Sequence, residues 1–207
     1  KAAKKYLGRK RKDKLLYETL PAAYNAHKNE PVDERKVIFI ELRLPEVSNS
    51  FRVLYDELKR DFDLDIHVHL LRNSFVPREE YIRRCQAMLS DAATAKYIFV
   101  NEASDVLSCV DMRPETVVTQ LWHACGAFKK FGQRGTNMSI AADHAYHVQY
   151  NMVTVSSDRI RSIYADAFDI DVHKVKALGC PRTDAFYDEK LMDETKQKVY
   201  AAHPEFK

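Results

Sequence analysis

The sequence predicts an α/β protein, a Rossmann-like parallel sheet flanked by helices. Six short runs of apolar, often β-branched residues recur between positions 36 and 179. Most are separated by stretches whose apolar residues fall at helical spacing. Strands that alternate with helices in this way imply parallel pairing, with crossover helices covering both faces of the sheet.

Residues 1–30 read as a basic, mostly helical arm. Tyr6, Leu7, Leu15, Leu16 and Leu20 give it a partial apolar stripe, and Pro21 interrupts it. Its simplest form is a solvated helix or a disordered arm. The first strand is KVIFIEL, residues 36–42, and the loop RLPEVSNS follows it. Phe51, Leu54, Tyr55 and Leu58 then recur at helix spacing. IHVHLL (66–71) is the second strand, with His67 and His69 on one face and no evident role. Tyr81, Cys85, Met88 and Leu89 mark the next helix, and KYIFVN (96–101) the third strand. ETVVTQLW (115–122), MVTVSS (152–157) and KVKALG (174–179) complete the sheet. Ser157 is placed to cap a helix carrying Ile160, Ile163, Tyr164 and Ala167. His144 and His147 read as surface residues. A helix over 193–203 stops at Pro204 and opens a linker segment, 193–207, so the main domain is expected to span 31–192. The chain begins at Lys1 rather than Met and is expected to be part of a longer protein.

Hydrophobic residues make up 45% of the 207 and charged residues 30%. No segment approaches the roughly 20 apolar residues of a membrane-spanning helix, and no secretory h-region is present. The net charge of +3 is unevenly spread. Residues 1–14 hold eight Lys or Arg against one Asp, a local +7, and the remaining 25 basic and 29 acidic groups give −4. Such an arm suits an anionic membrane surface, with residues 1–20 as the contact. No stacking platform or binding motif points to nucleic acid. Cys85, Cys109, Cys125 and Cys180 form no CxxC pair and are expected to be reduced thiols. With five glycines and no GxGxxG, the usual dinucleotide fingerprint is excluded.

In open parallel sheets ligands bind beyond the carboxyl ends of the strands. That rule gives His123, directly after the fourth strand, a place on the rim. The same edge receives Asn49 and Ser50 from the loop after the first strand. It also receives Asn101 and Glu102 after the third and Ser156, Ser157 and Asp158 after the fifth. An imidazole there can accept a hydroxyl proton. Gly126 permits close approach of a ligand, and Lys129 and Lys130 are expected within one or two helical turns, ready for phosphate. Trp122 is expected in the core and as a wall of the histidine pocket. Arg182 and Asp184 offer either a phosphate grip or an internal ion pair.

The chain resembles the CDP-glycerol glycerophosphotransferases, the teichoic-acid primases and polymerases of bacterial cell envelopes. The resemblance rests on KVIFIELR with SNSFRVLYDEL (36–58), AKYIFVN (95–101), QLWHACGAFKKFG (120–132), MVTVSSDRIRSIYADAF (152–168) and LGCPRTDAFYD (178–188). Two departures stand out: Trp-His-Gly-Thr of the family is Trp-His-Ala-Cys-Gly here, and Cys180 replaces a common aromatic. The resemblance implies the amino-terminal half of a GT-B fold, with catalysis in a cleft between two halves. It implies His123 as catalytic base, with Lys129, Lys130 and Arg182 binding substrate phosphate. It implies a CDP-alditol donor, CDP-glycerol first, held by a second half beyond these residues, and a lipid-linked polymer acceptor. Neither a metal nor a cofactor other than that substrate is implied, and the chain alone is expected to be inactive. Residence follows as cytoplasmic, peripheral on the inner face of the membrane. A GT-B nucleotide-sugar glycosyltransferase and a non-catalytic module binding an anionic polymer are the alternatives.

Overall fold

The computed structural model describes residues 14–135 and 147–206. Its centre is one parallel sheet of six strands. They are β1 (Asp33–Glu41), β2 (Asp65–Leu70), β3 (Ala95–Val100), β4 (Val117–Gln120), β5 (Met152–Thr154) and β6 (Val175–Lys176). The order is β2-β1-β3-β4-β5-β6. The chain steps from β1 outward to β2, crosses back to β3 on the other side of β1, and then moves outward to β6. The strand order therefore reverses between β1 and β3, where loops diverge and leave a crevice at the carboxyl edge.

Alternation along β1 builds two cores. Ile38 and Ile40 face the larger one, with Ile98, Val118 and Val153 from neighbouring strands. Val37 and Phe39 face the other, with Phe51 and Leu121. Among the described residues the α-helices are α1 (Leu20–Asn25), α2 (Arg52–Asp61), α3 (Arg78–Ala92), α4 (Arg161–Phe168) and α5 (Glu189–Ala202). Cys85, Met88 and Leu89 of α3 and Tyr164 and Phe168 of α4 fill the larger core. Leu54, Tyr55 and Leu58 of α2 cover the smaller one.

The amino-terminal segment differs from a solvated arm. A π-helical turn, Leu15–Thr19, runs without a break into α1, whose second residue is Pro21. Leu20 and Tyr24 are 1% and 2% exposed in the larger core. Tyr24 also accepts the Arg113 backbone N–H at 3.2 Å through its hydroxyl. The arm's residues 1–13 lie outside the described residues, as does His144.

Several boundaries move. β4 stops at Gln120: Leu121 still donates its N–H to the Val100 carbonyl at 2.8 Å, but the Trp122 N–H turns to the Gln120 side chain at 2.8 Å, before His123. Ser157 makes no side-chain cap, and a 3-10 turn over Asp158–Ile160 precedes α4. Its neighbour Ser156 donates its hydroxyl to the Cys125 carbonyl at 2.6 Å. α5 starts four residues before the expected position, because the Asp188 carboxylate accepts the Leu191 N–H at 3.0 Å and caps it. His147 is fully buried, its ring stacked on Phe168 at 4.2 Å between centroids. A histidine packed on an aromatic ring gives no sequence sign different from a surface one.

Candidate active site

Glu41 ends β1 and is 2% exposed. A carboxylate placed there must be hydrogen-bonded. One oxygen accepts the backbone N–H groups of Arg43 and Leu44 at 3.2 and 3.3 Å, which folds the loop after β1 back onto the strand end. The other accepts Asn101 Nδ2 at 2.9 Å, and the same amide donates to Ser48 Oγ at 2.9 Å. Asn101 is the first residue after β3, so the knot ties together the two strand ends at the point of reversal. Its Oδ1 is buried without a hydrogen-bond partner.

His123 attaches to that knot from β4. Its Nδ1 lies 3.1 Å from the Asn101 carbonyl oxygen. A carbonyl only accepts, so the ring proton sits on Nδ1 and the lone pair of Nε2 remains available. The imidazole is exposed. Trp122, before it, takes φ +57°, a left-handed conformation rarely adopted by a bulky residue. This kink sends the indole inward, 8% exposed and packed near Phe131 and Phe168, while the imidazole points outward. The two rings stack at 4.5 Å. Trp122 is thus a core residue that backs the imidazole, and it is not among the residues lining the cleft.

A cleft of about 310 Å³ opens over these groups, lined by His123, Arg182, Asn49, Ser50, Asn101 and Glu102, among others. Arg182 Nη1 donates to the His123 carbonyl oxygen, so it braces the histidine turn rather than closing on Asp184. Across the mouth, Arg43 Nε pairs with Glu102 at 2.9 Å.

Lys129 and Lys130 go elsewhere. Residues 123–131 form an irregular loop, not a helix, and carry both lysines into a separate hollow of about 430 Å³ with Phe128, Phe131 and Ile163. Gly132, at φ +56°, fixes that course, because a Cβ there would lie 2.1 Å from the Ala167 carbonyl oxygen. Gly126 lies beside the Phe128 ring, outside the residues that line the cleft. The expected helix is missing because Gly126, Gly132 and Gly135 interrupt a run too short to nucleate one.

Sequence reasoning brought His123, Arg182, Asn49 and Ser50 to one cleft and missed Glu41 and Ser48. Glu41 did leave a sign: it is a single acid inside the otherwise apolar run VIFIEL.

The fold and cleft define a Rossmann-like α/β domain with an exposed imidazole at the carboxyl edge of its sheet. The profile of the CDP-glycerol:poly(glycerophosphate) glycerophosphotransferases matches residues 22–203, and the chain belongs to that family. It is 32% identical to a teichoic acid poly(ribitol-phosphate) polymerase of Bacillus spizizenii, over 88% of this chain and 30% of the relative. Identity to a teichoic acid ribitol-phosphate primase of the same organism is also 32%, over 86% and 48%. The chain thus spans from under a third to about half the length of these relatives. A solved structure of the wall teichoic acid polymerase TagF superposes with a TM-score of 0.68 at 12% identity, over 94% of this chain and 53% of that one. That likeness is one of fold. No helix among the described residues is long and apolar enough to cross a membrane.

Proposed function

We propose that the protein transfers an alditol phosphate from a CDP-activated donor to a hydroxyl of a lipid-linked, teichoic-acid-type acceptor. His123 is the general base. Nε2 takes the proton of the acceptor hydroxyl, whose oxygen attacks the β-phosphorus of the donor. The bond to the bridging oxygen breaks and CMP leaves. The observation that carries this reading is the tie between His123 Nδ1 and the Asn101 carbonyl, 3.1 Å long. It holds the ring in the tautomer that a base requires, at the edge where the cleft opens.

Arg182 is placed to meet donor phosphate charge, since phosphoryl transfer depends mainly on positioning and electrostatics. Lys129 and Lys130 sit one hollow away and suit an anionic segment of the acceptor. Much of the donor site belongs to the further length that the relatives possess, in keeping with a two-half GT-B arrangement. The relatives at 32% identity are named for ribitol phosphate, and those named for glycerol phosphate are 25–27% identical. CDP-ribitol is accordingly a donor to test beside CDP-glycerol.

The test uses the longest natural polypeptide that carries this chain, with a lipid-linked acceptor and either CDP-alditol. CMP release is expected, and His123→Ala is expected to lower kcat about 100-fold or more while donor affinity persists. Near-normal turnover by that variant rejects the base assignment. Nucleoside diphosphate release from a nucleotide sugar, without CMP release from CDP-alditols, moves the protein to the glycosyltransferases.

A further inference from the structure

A second group of chemistry-bearing side chains lies away from the cleft, on the face of β2 that meets the end of α3. His67 and His69 share that face. His67 Nδ1 lies 2.6 Å and His69 Nε2 2.8 Å from the same oxygen, Asp91 Oδ2. The other carboxylate oxygen is held by Lys36 Nζ at 3.0 Å, and that ammonium also reaches Thr94 Oγ1 at 2.9 Å. On its far side, His67 Nε2 lies 3.1 Å from Asp65 Oδ2.

Proton placement decides what such a group can be. A hydrogen on His67 Nε2 would be donated to Asp65, 3.1 Å away. In that tautomer the Nδ1 lone pair faces Asp91 Oδ2, and a second proton or a cation must lie between them. His69 Nε2 faces the same oxygen. As hydrogen bonds, the two short contacts need a proton on each ring nitrogen, which His69 has in its neutral Nε2–H tautomer and His67 in its Nδ1–H tautomer or as imidazolium; one cation between the three atoms would replace both protons. The outer contacts match what surrounds a bound metal. A ligating histidine commonly donates its second ring nitrogen to a carboxylate, and a ligating carboxylate is hydrogen-bonded through its free oxygen. Asp65 and Lys36 supply those two contacts.

We propose that His67 Nδ1, His69 Nε2 and Asp91 Oδ2 bind one divalent transition ion of the zinc, cobalt or nickel class, with water completing the coordination. Two nitrogens and one oxygen suit these borderline ions better than magnesium or calcium, which prefer oxygen alone. The three atoms lie within 4.8 Å of one another. Bonds of about 2.0–2.2 Å require the two short contacts to open by roughly half an ångström, which small side-chain rotations provide. The side chains of His69, Asp91 and Lys36 are 18%, 15% and 16% exposed and that of His67 is 37%, so water reaches the site from one side. The ion would clamp β2, an edge strand paired with β1 alone, to the end of α3. Its role is structural and independent of the transfer reaction.

Cobalt(II) and zinc(II) report on this directly, in tag-free protein freed of metal by chelator. One equivalent of Co²⁺ is expected to give visible d–d bands of a four- or five-coordinate ion, and Zn²⁺ to bleach them and raise the thermal midpoint. His69→Gln is expected to abolish both effects. Asp65→Asn, which alters an exposed group and no ligand, should keep the fold and weaken Co²⁺ binding about 10- to 100-fold. His123→Ala should bind as the parent does. Absence of the bands in folded parent protein overturns the proposal. So does binding that His69→Gln and Asp65→Asn both leave unchanged.

Discussion

A single buried acid does more to shape the cleft than any exposed cation. Glu41 accepts three N–H groups from two segments, so removing it takes one of the two acceptors of Asn101 Nδ2 and frees the turn at Arg43 and Leu44 together. Hydrogen bonds to a charged partner contribute about 1.5–3 kcal/mol. Glu41→Ala is therefore expected to lower unfolding free energy by about 2–3 kcal/mol in urea titration and to loosen the loop at Asn49. An unchanged midpoint would remove the knot from the account. The thiols offer a second residue-scale test. Burial pushes Cys85, Cys109 and Cys180 each up to about 12. The thiolate is the nucleophile, so at pH 8 about one part in 10⁴ of each is reactive. Ellman's reagent should count at most one fast thiol in native protein, Cys125, and four after unfolding. Raising the pH toward 10 should speed the slow three. Fast reaction of more than one thiol at pH 8 would contradict their burial.

Elements show where local pattern wins and where packing overrides it. β1 and β3 were legible because VIFI and YIFV are apolar at every position, the first bounded by Lys36 and Glu41 and the second by Lys96 and Asn101. β5 and β6 pair over two residues only, Val153 with Val175 and Thr154 with Lys176. Their ends were overread because apolar residues continue past the ladder: Val155 and Ala177 join the larger core, while Leu178 is exposed. The loop after His123 was misread as a helix, since its lysines and alanines are good helix formers while the glycines answer to tertiary contacts. Gly132 and Gly179 separate those effects. Both have positive φ, +56° and +96°, but a Cβ at Gly132 meets Ala167 backbone, and one at Gly179 meets nothing within 4 Å. Gly179→Ala is expected to cost about 1 kcal/mol from conformation alone. Gly132→Ala adds a clash with backbone and should cost more than about 2 kcal/mol. Equal losses in denaturant titration would deny the close approach. In α1, Leu20→Ala should cost about 2–5 kcal/mol as a core truncation. A surface-like change there would restore the picture of a detached arm.

At the scale of the molecule, charge and fold divide the work. The +7 of residues 1–14 precedes a body of −4, and cations near an anionic bilayer contribute about 1 kcal/mol each. Flotation with vesicles containing anionic lipid should capture the protein at low salt and release it near 0.5 M. Equal capture by neutral vesicles would contradict the electrostatic attachment. The rim rule read the cleft's address from the sequence, because strand ends and loop residues can be counted. The closure of the site could not be counted, since it depends on contacts sixty residues apart, such as Asn101 with Glu41. All of that long-range assembly converges on one proton. The sheet sets β3 beside β4, so that the Asn101 carbonyl meets His123 and leaves Nε2 bare. Two-dimensional ¹H–¹⁵N correlation of the imidazole nitrogens, in the chain itself at a pH where the ring is neutral, reads this directly. The predicted spectrum shows a protonated Nδ1 and an unprotonated Nε2 for the signals lost in His123→Ala. A spectrum with the proton on Nε2 would contradict the account.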